Sequence, residues 1–149
     1  MVFNETNMKL TESDIIEVEK SIRVGFPDEF KSHYLEFNGG YPERRYYKWD
    51  NDEGFTRINS FLAMKYDQFG TLENGYKNLS LLEAVVPIGI IQFAMDDFGN
   101  SFCISAREKD YGYIYYYDND KYDTQDKEAC LIFLCKRFND FLNCLVDTN

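Results

Sequence analysis

A single histidine, His33, stands in this chain of 149 residues, which leaves little room for acid–base centres that need an imidazole and an orienting partner. No catalytic residues are assigned, and the chain is not expected to be an enzyme. Positive charge is scarce too. Sixteen Lys and Arg face 26 Asp and Glu, giving a formal charge of −10, which disfavours nucleic acid and anionic membranes and suits a basic protein partner. Hydrophobic runs stay far short of a membrane span, and Met1–Leu10 is polar, without the apolar centre of a signal peptide, so the expected location is the cytoplasm. No Asp-x-Asp-x-Asp-Gly loop with a distal Glu is present, nor any other recognisable ligand spacing, and neither a metal nor a cofactor is expected. The four cysteines read as small buried hydrophobes. Cys103 falls in an expected strand, while Cys130, Cys135 and Cys144 fall in one expected helix at spacings that place neighbours on different faces.

Aromatics supply what histidine and cationic residues do not. They form 17% of the chain within a hydrophobic share of 44%, an excess of Phe and Tyr that argues against disorder. At this length a single domain over residues 1–149 is expected, with about 69% of the unfolded surface buried on folding.

Local signals divide that domain into helices and strands. Thr11 with Asp14 three residues on resembles a capping box, and Ile15, Val18 and Ile22 continue at helical spacing, so a first helix is expected from about Glu12 to Arg23. A second follows from Pro27 to Phe37 after a turn at Gly25. Pro27 suits a first helical position, Asp28 and Glu29 complement the helix dipole, and Phe30, Tyr34 and Phe37 make one aromatic stripe. Asn38-Gly39-Gly40 should end it through a left-handed cap. Strands are expected at Tyr46–Trp49, Phe55–Leu62, Val85–Ala94, Ser101–Ser105 and Gly112–Tyr117, with a short or broken helix over Thr71–Ala84. Pro87 confines itself to a strand start, an edge or a bulge. From Lys127 to Val146, the apolar series Leu131, Leu134, Cys135, Phe138, Phe141, Leu142 and Leu145 predicts one long closing helix. The class is α+β: a central antiparallel or mixed sheet, an N-terminal helix pair and a C-terminal helix packed on the sheet.

These motifs, in this order, resemble the SUKH superfamily of Smi/Knr-like proteins. The helix from Phe26-Pro27 to Gly40 is similar to the family's Leu-Pro-x-x-Tyr/Phe helix ending in Asn-Gly-Gly. Val86-Pro87-Ile88-Gly89, Asp96-Asp97-Phe98-Gly99-Asn100 and Phe102-Cys103-Ile104-Ser105 resemble its Ile-Pro strand, Asp-x-x-Gly-Asn turn and following strand. Gly112-Tyr113-Ile114-Tyr115-Tyr116-Tyr117-Asp118-Asn119-Asp120 and Arg137-Phe138-Asn139-Asp140-Phe141-Leu142 complete the likeness. The chain departs from the pattern with Tyr117 at the usual Trp, Asn119 at the usual His, and extra polar residues from Tyr41 to Gly54. The resemblance implies a domain without catalysis that in bacteria serves mainly as an immunity protein, blocking a cognate toxin domain that is often a nuclease. The alternative it implies is a regulatory protein-binding scaffold, as in the cell-wall-related eukaryotic members.

Candidate partner contacts lie in the acidic turns and the tyrosine strand: Asp50, Asp52, Glu53, Asp96, Asp97, Asp118 and Asp120, with Tyr115 and Tyr117. A solvated loop is the plain alternative for the turns, and sheet core for the tyrosines. His33 reads as a helix-surface or partly packed side chain.

Overall fold

The computed structural model describes residues 1–50 and 53–147. Its elements run β1 (Phe3–Asn4), α1 (Glu12–Ile22), α2 (Asp28–Glu36), β2 (Tyr41–Pro42), β3 (Tyr46–Lys48), β4 (Phe55–Phe61), α3 (Leu72–Tyr76), β5 (Ile90–Asp96), β6 (Ser101–Ser105), β7 (Ile114–Tyr117), β8 (Leu131–Cys135), α4 (Phe138–Asn143) and β9 (Leu145–Val146). β1 and β2 form a small ribbon, and the other seven strands form one antiparallel sheet ordered β8-β7-β6-β5-β4-β3-β9. The fold is α+β, as the residue patterns imply. No helix among the described residues is long and apolar enough to cross a membrane.

The first helix is built as its sequence dictates. Thr11 accepts the Asp14 amide at 3.1 Å, and Asp14 accepts the Thr11 amide at 2.9 Å, closing the capping box, while Arg23 ends the helix in the left-handed conformation. Ile15, Val18 and Ile22 are buried. In α2 the buried side chains are Phe30, His33 and Tyr34; Pro27 stands at the cap just outside the first turn rather than within it. The helix stop differs from expectation. Phe37 leaves α2 in an extended conformation with its amide donating to the His33 carbonyl, so no left-handed residue is needed there. Gly39 and Gly40 adopt φ of +77° and +81° further on, and a Cβ at Gly40 would lie 2.3 Å from the Asn4 carbonyl oxygen. Asn38 is buried and holds backbone groups elsewhere: its amide nitrogen donates to the Met8 and Met64 carbonyls, and its oxygen accepts the Met64 amide.

The broken helix over Thr71–Ala84 is α3 followed by a π-helical stretch, Lys77–Leu82. Strand β5 starts at Ile90, not Val85, because Pro87 and a left-handed Gly89 shape a turn ahead of it.

The C-terminal segment is the main correction. Lys127–Val146 is not one helix but a 3-10 turn, the edge strand β8, the short α4 and the two-residue β9. Five successive apolar residues at Leu131–Cys135 satisfy a helical stripe and a buried strand equally well. Tertiary pairing decides: the open edge of β7 takes up β8, with Tyr117 opposite Leu131 and Tyr115 opposite Phe133. The cysteines therefore do not share a helix. Cys130 closes the 3-10 turn, Cys135 ends β8, Cys144 follows α4, and all four are unpaired. Burial pushes the Cys103 thiol up to about 12, against nucleophilic use.

The sheet curls around α4. Phe141 meets Tyr47 from β3, Phe93 from β5 and Phe102 from β6 at ring distances of 6.0, 5.6 and 5.1 Å. The main core fills this concave side together with α1 and α2, and Ile114 and Tyr116 point into it. A second, smaller core of Val86, Ile90, Cys103, Tyr117 and Cys130 covers part of the opposite face. Both faces of the tyrosine strand are thus used by the fold.

Candidate partner-binding surface

Strand register gathers the acidic turns at one end of the sheet. Lys48 pairs with Phe55 at the β3–β4 turn, Ile58 on β4 faces Asp96, Met95 pairs with Ser101 at the β5–β6 turn, Ser101 faces Tyr117, and Tyr117 faces Leu131. The two turns and the β7–β8 connection therefore leave the sheet on the same side. Asp50, Glu53, Asp97 and Asp120 are exposed there, and Asp118 is half-buried. Asp52 lies outside the described residues.

Asp96 is not at the surface. It is 5% exposed, and one carboxylate oxygen accepts the amides of Phe98 and Asn100 at 2.8 and 2.9 Å while the other accepts the Tyr116 hydroxyl. This carboxylate serves the turn instead of a partner. Asp97 faces outward, held by Arg57 at 3.0 Å and by the Asn59 amide at 3.2 Å. Burial opposes ionisation at Asp97, but the Arg57 and Asn59 donors outweigh it and hold its pKa below the ordinary carboxylate value.

Asn119 binds the neighbouring turn. Its backbone amide donates to Asn100 Oδ1 at 3.0 Å, and its side-chain nitrogen donates to the Gly99 carbonyl at 2.9 Å. The side chain of Asp118 accepts the Asp120 amide at 3.0 Å. Departure from the family pattern at this position thus still leaves a side chain that stitches two acidic turns together.

The tyrosines turn elsewhere. Tyr115 donates to Asp110 at 2.6 Å, within a cluster where Arg107 and Ser105 also donate to that carboxylate. Burial acts against the Asp110 charge, yet these donors hold its pKa down to about 2. Tyr117 is 3% exposed and donates to the Val85 carbonyl, so it offers a partner no surface.

The side chain that residue patterns did not single out is Phe98. It protrudes at the tip of the β5–β6 turn with 88% of its surface exposed, in a place where small polar residues are the rule. Its only sequence signal is an aromatic between Asp97 and Gly99.

His33 departs from its expected place as well. It is 8% exposed and its ring lies against Phe3, Phe37, Phe61 and Phe138 at 4.6 to 5.8 Å, with Nε2 unpaired. Desolvation pushes its pKa down to about 4. An unfolded imidazole binds its proton near pH 6.5, the folded one only near 4, so stability is complete above 6.5 and falls as pH drops toward 4. Between pH 7.5 and 4.5 the loss should be about 2 to 3 kcal/mol. Urea melts of a His33→Leu variant, which lacks this titration, should show a flatter pH dependence over that window. Equal slopes would contradict the assignment. The contributions of Asp14 and Asp110, both held down to about 2, are lost only below about pH 4, so the windows separate.

No group of three or more potential metal ligands occurs among the described residues. Against known families, the model of the SMI1 / KNR4 family (SUKH-1) matches residues 9–144. The chain belongs to the SMI1/KNR4 (SUKH-1) family. The match takes in α1 through α4, and with them the whole acidic sheet end of this SUKH-1 domain. No curated protein matches the chain.

Proposed function

We propose that this SUKH-1 domain is an immunity protein: it binds a basic toxin domain, of nuclease type, and neutralises it by covering its active or substrate-binding surface, without catalysis of its own. The observation that carries this reading is the convergence of acidic turns from three strand connections onto one end of the sheet, beside an exposed phenylalanine. Family membership adds the class of protein in which such a role is expected, and the charge of −10 favours a cationic partner.

Charges on one rim act chiefly on encounter. Replacing Asp50, Glu53, Asp118 and Asp120 together by their amides should slow association with an inactivated cognate toxin domain about tenfold, with dissociation changed by no more than about twofold. The wild-type on-rate should fall as salt rises, because exposed charges beyond a Debye length of about 8 to 10 Å are screened. Surface plasmon resonance at two salt concentrations measures both. An on-rate indifferent to salt and to the substitutions would overturn the placement of the surface, and absence of binding would overturn the function.

A further inference from the structure

We infer that Phe98 is the anchor of this interface: a ring that enters an apolar socket, rimmed by basic side chains, on the protein partner. The inference rests on the docking function proposed above and names the contact that sets its lifetime.

Phe98 stands 88% in water, so a partner that covered its ring would gain most of that side chain's transfer free energy. Only Phe69, at 91%, is comparably exposed among the described large hydrophobics, and it lies in the loop leaving the opposite end of β4. The ring of Phe98 is held out by its own turn. Both oxygens of buried Asp96 are spent on that turn and on Tyr116, and Asn119 ties it to the next connection. Gly99 follows with φ of +84°, a conformation that completes the reversal without strain. The backbone beneath the ring is thus preorganised, and docking orders little beyond the side chain itself.

Chemistry around the ring selects the occupant. Asn119 ties the β7–β8 connection to Gly99 and Asn100, so half-buried Asp118 and exposed Asp120 flank the turn that carries the ring, while Asp97 beside it is paired with Arg57: an apolar side chain at the edge of a polar, net acidic rim. A second copy is disfavoured, since a two-fold contact here would place the same acidic turns face to face between chains of charge −10. A small molecule is disfavoured because the ring projects outward instead of lining a cavity.

The test uses an inactivated cognate toxin domain of nuclease type, immobilised for surface plasmon resonance. Phe98→Ala should weaken binding about thirtyfold, chiefly through faster dissociation. Its urea midpoint should match wild type, because no buried contact is removed. Phe69→Ala should bind as wild type does. If Phe98→Ala binds normally while the four amide substitutions slow association, the anchor is wrong and the docking surface stands. If wild type does not bind, both fall. If sedimentation shows a wild-type dimer that Phe98→Ala dissolves, the occupant is a second copy and the inference is overturned.

Discussion

Phe30→Ala should lower the free energy of unfolding by about 3 to 5 kcal/mol. The ring is fully buried and touches four others, Phe26, Tyr34, Phe93 and Phe138, at centroid distances of 5.1, 4.8, 5.8 and 5.2 Å. Those neighbours come from α2 and its approach, from β5 and from α4, so no single shift can close the space. The void would remain, and its lining would lose dispersion contacts on every side. Urea denaturation, read as a change in midpoint at constant slope, measures the effect. A loss below about 1 kcal/mol would mean that the site collapses freely, against the packing described.

Asn38→Ala should cost nearly as much, about 3 to 5 kcal/mol, though only a small polar side chain is removed. Asn38 is 1% exposed and joins three distant backbone groups: the Met8 carbonyl at 2.9 Å, the Met64 carbonyl at 3.0 Å and the Met64 amide at 2.8 Å. Each bond is modest in net terms. Their loss together strands buried donors and acceptors, and each stranded group costs about 1 to 3 kcal/mol. Faster hydrogen exchange at the Met64 amide should accompany the fall in stability. A variant as stable as wild type, with that amide still protected, would show that another group had taken over the role.

The same asparagine shows how far residue patterns reach. Its place after a helix in Asn-Gly-Gly carried a local meaning, a left-handed helix stop, whereas α2 already ends at Phe37 in an extended conformation. Its larger work is nonlocal, since Met8 and Met64 come together only when the chain has folded. Elements governed by neighbours in sequence were legible: the Thr11–Asp14 box, the aromatic face of α2, the turn at Asp96–Asn100 and the tyrosine strand. The closing segment was not, because the stripe from Leu131 to Leu145 satisfies the helical period while the open edge of β7, which decides the matter, lies far away in sequence. Of the candidate contacts, the acidic character was plain in composition, but their convergence came from strand register. Asp96 and Tyr117 were drawn inward by partners, Tyr116 and Val85, that no spacing rule announces. Phe98 escaped notice because a hydrophobic residue in a turn looks like noise until its exposure is seen.

Residues 131–146 occupy both outer positions of the seven-stranded sheet, with β8 beside β7 and β9 beside β3. On the ribosome, the tyrosine strand and Tyr46–Lys48 must therefore wait with unpaired backbone edges until Leu131–Val146 has been made. Synthesis from Tyr117 to Val146 proceeds at about 5 to 20 residues per second, so this open-edged nascent form persists on the order of seconds. During that interval the edges of β7 and β3 stand open to strand-to-strand capture by neighbouring chains on a polysome, until one closing segment covers both and its own β8 and β9 become the outer strands.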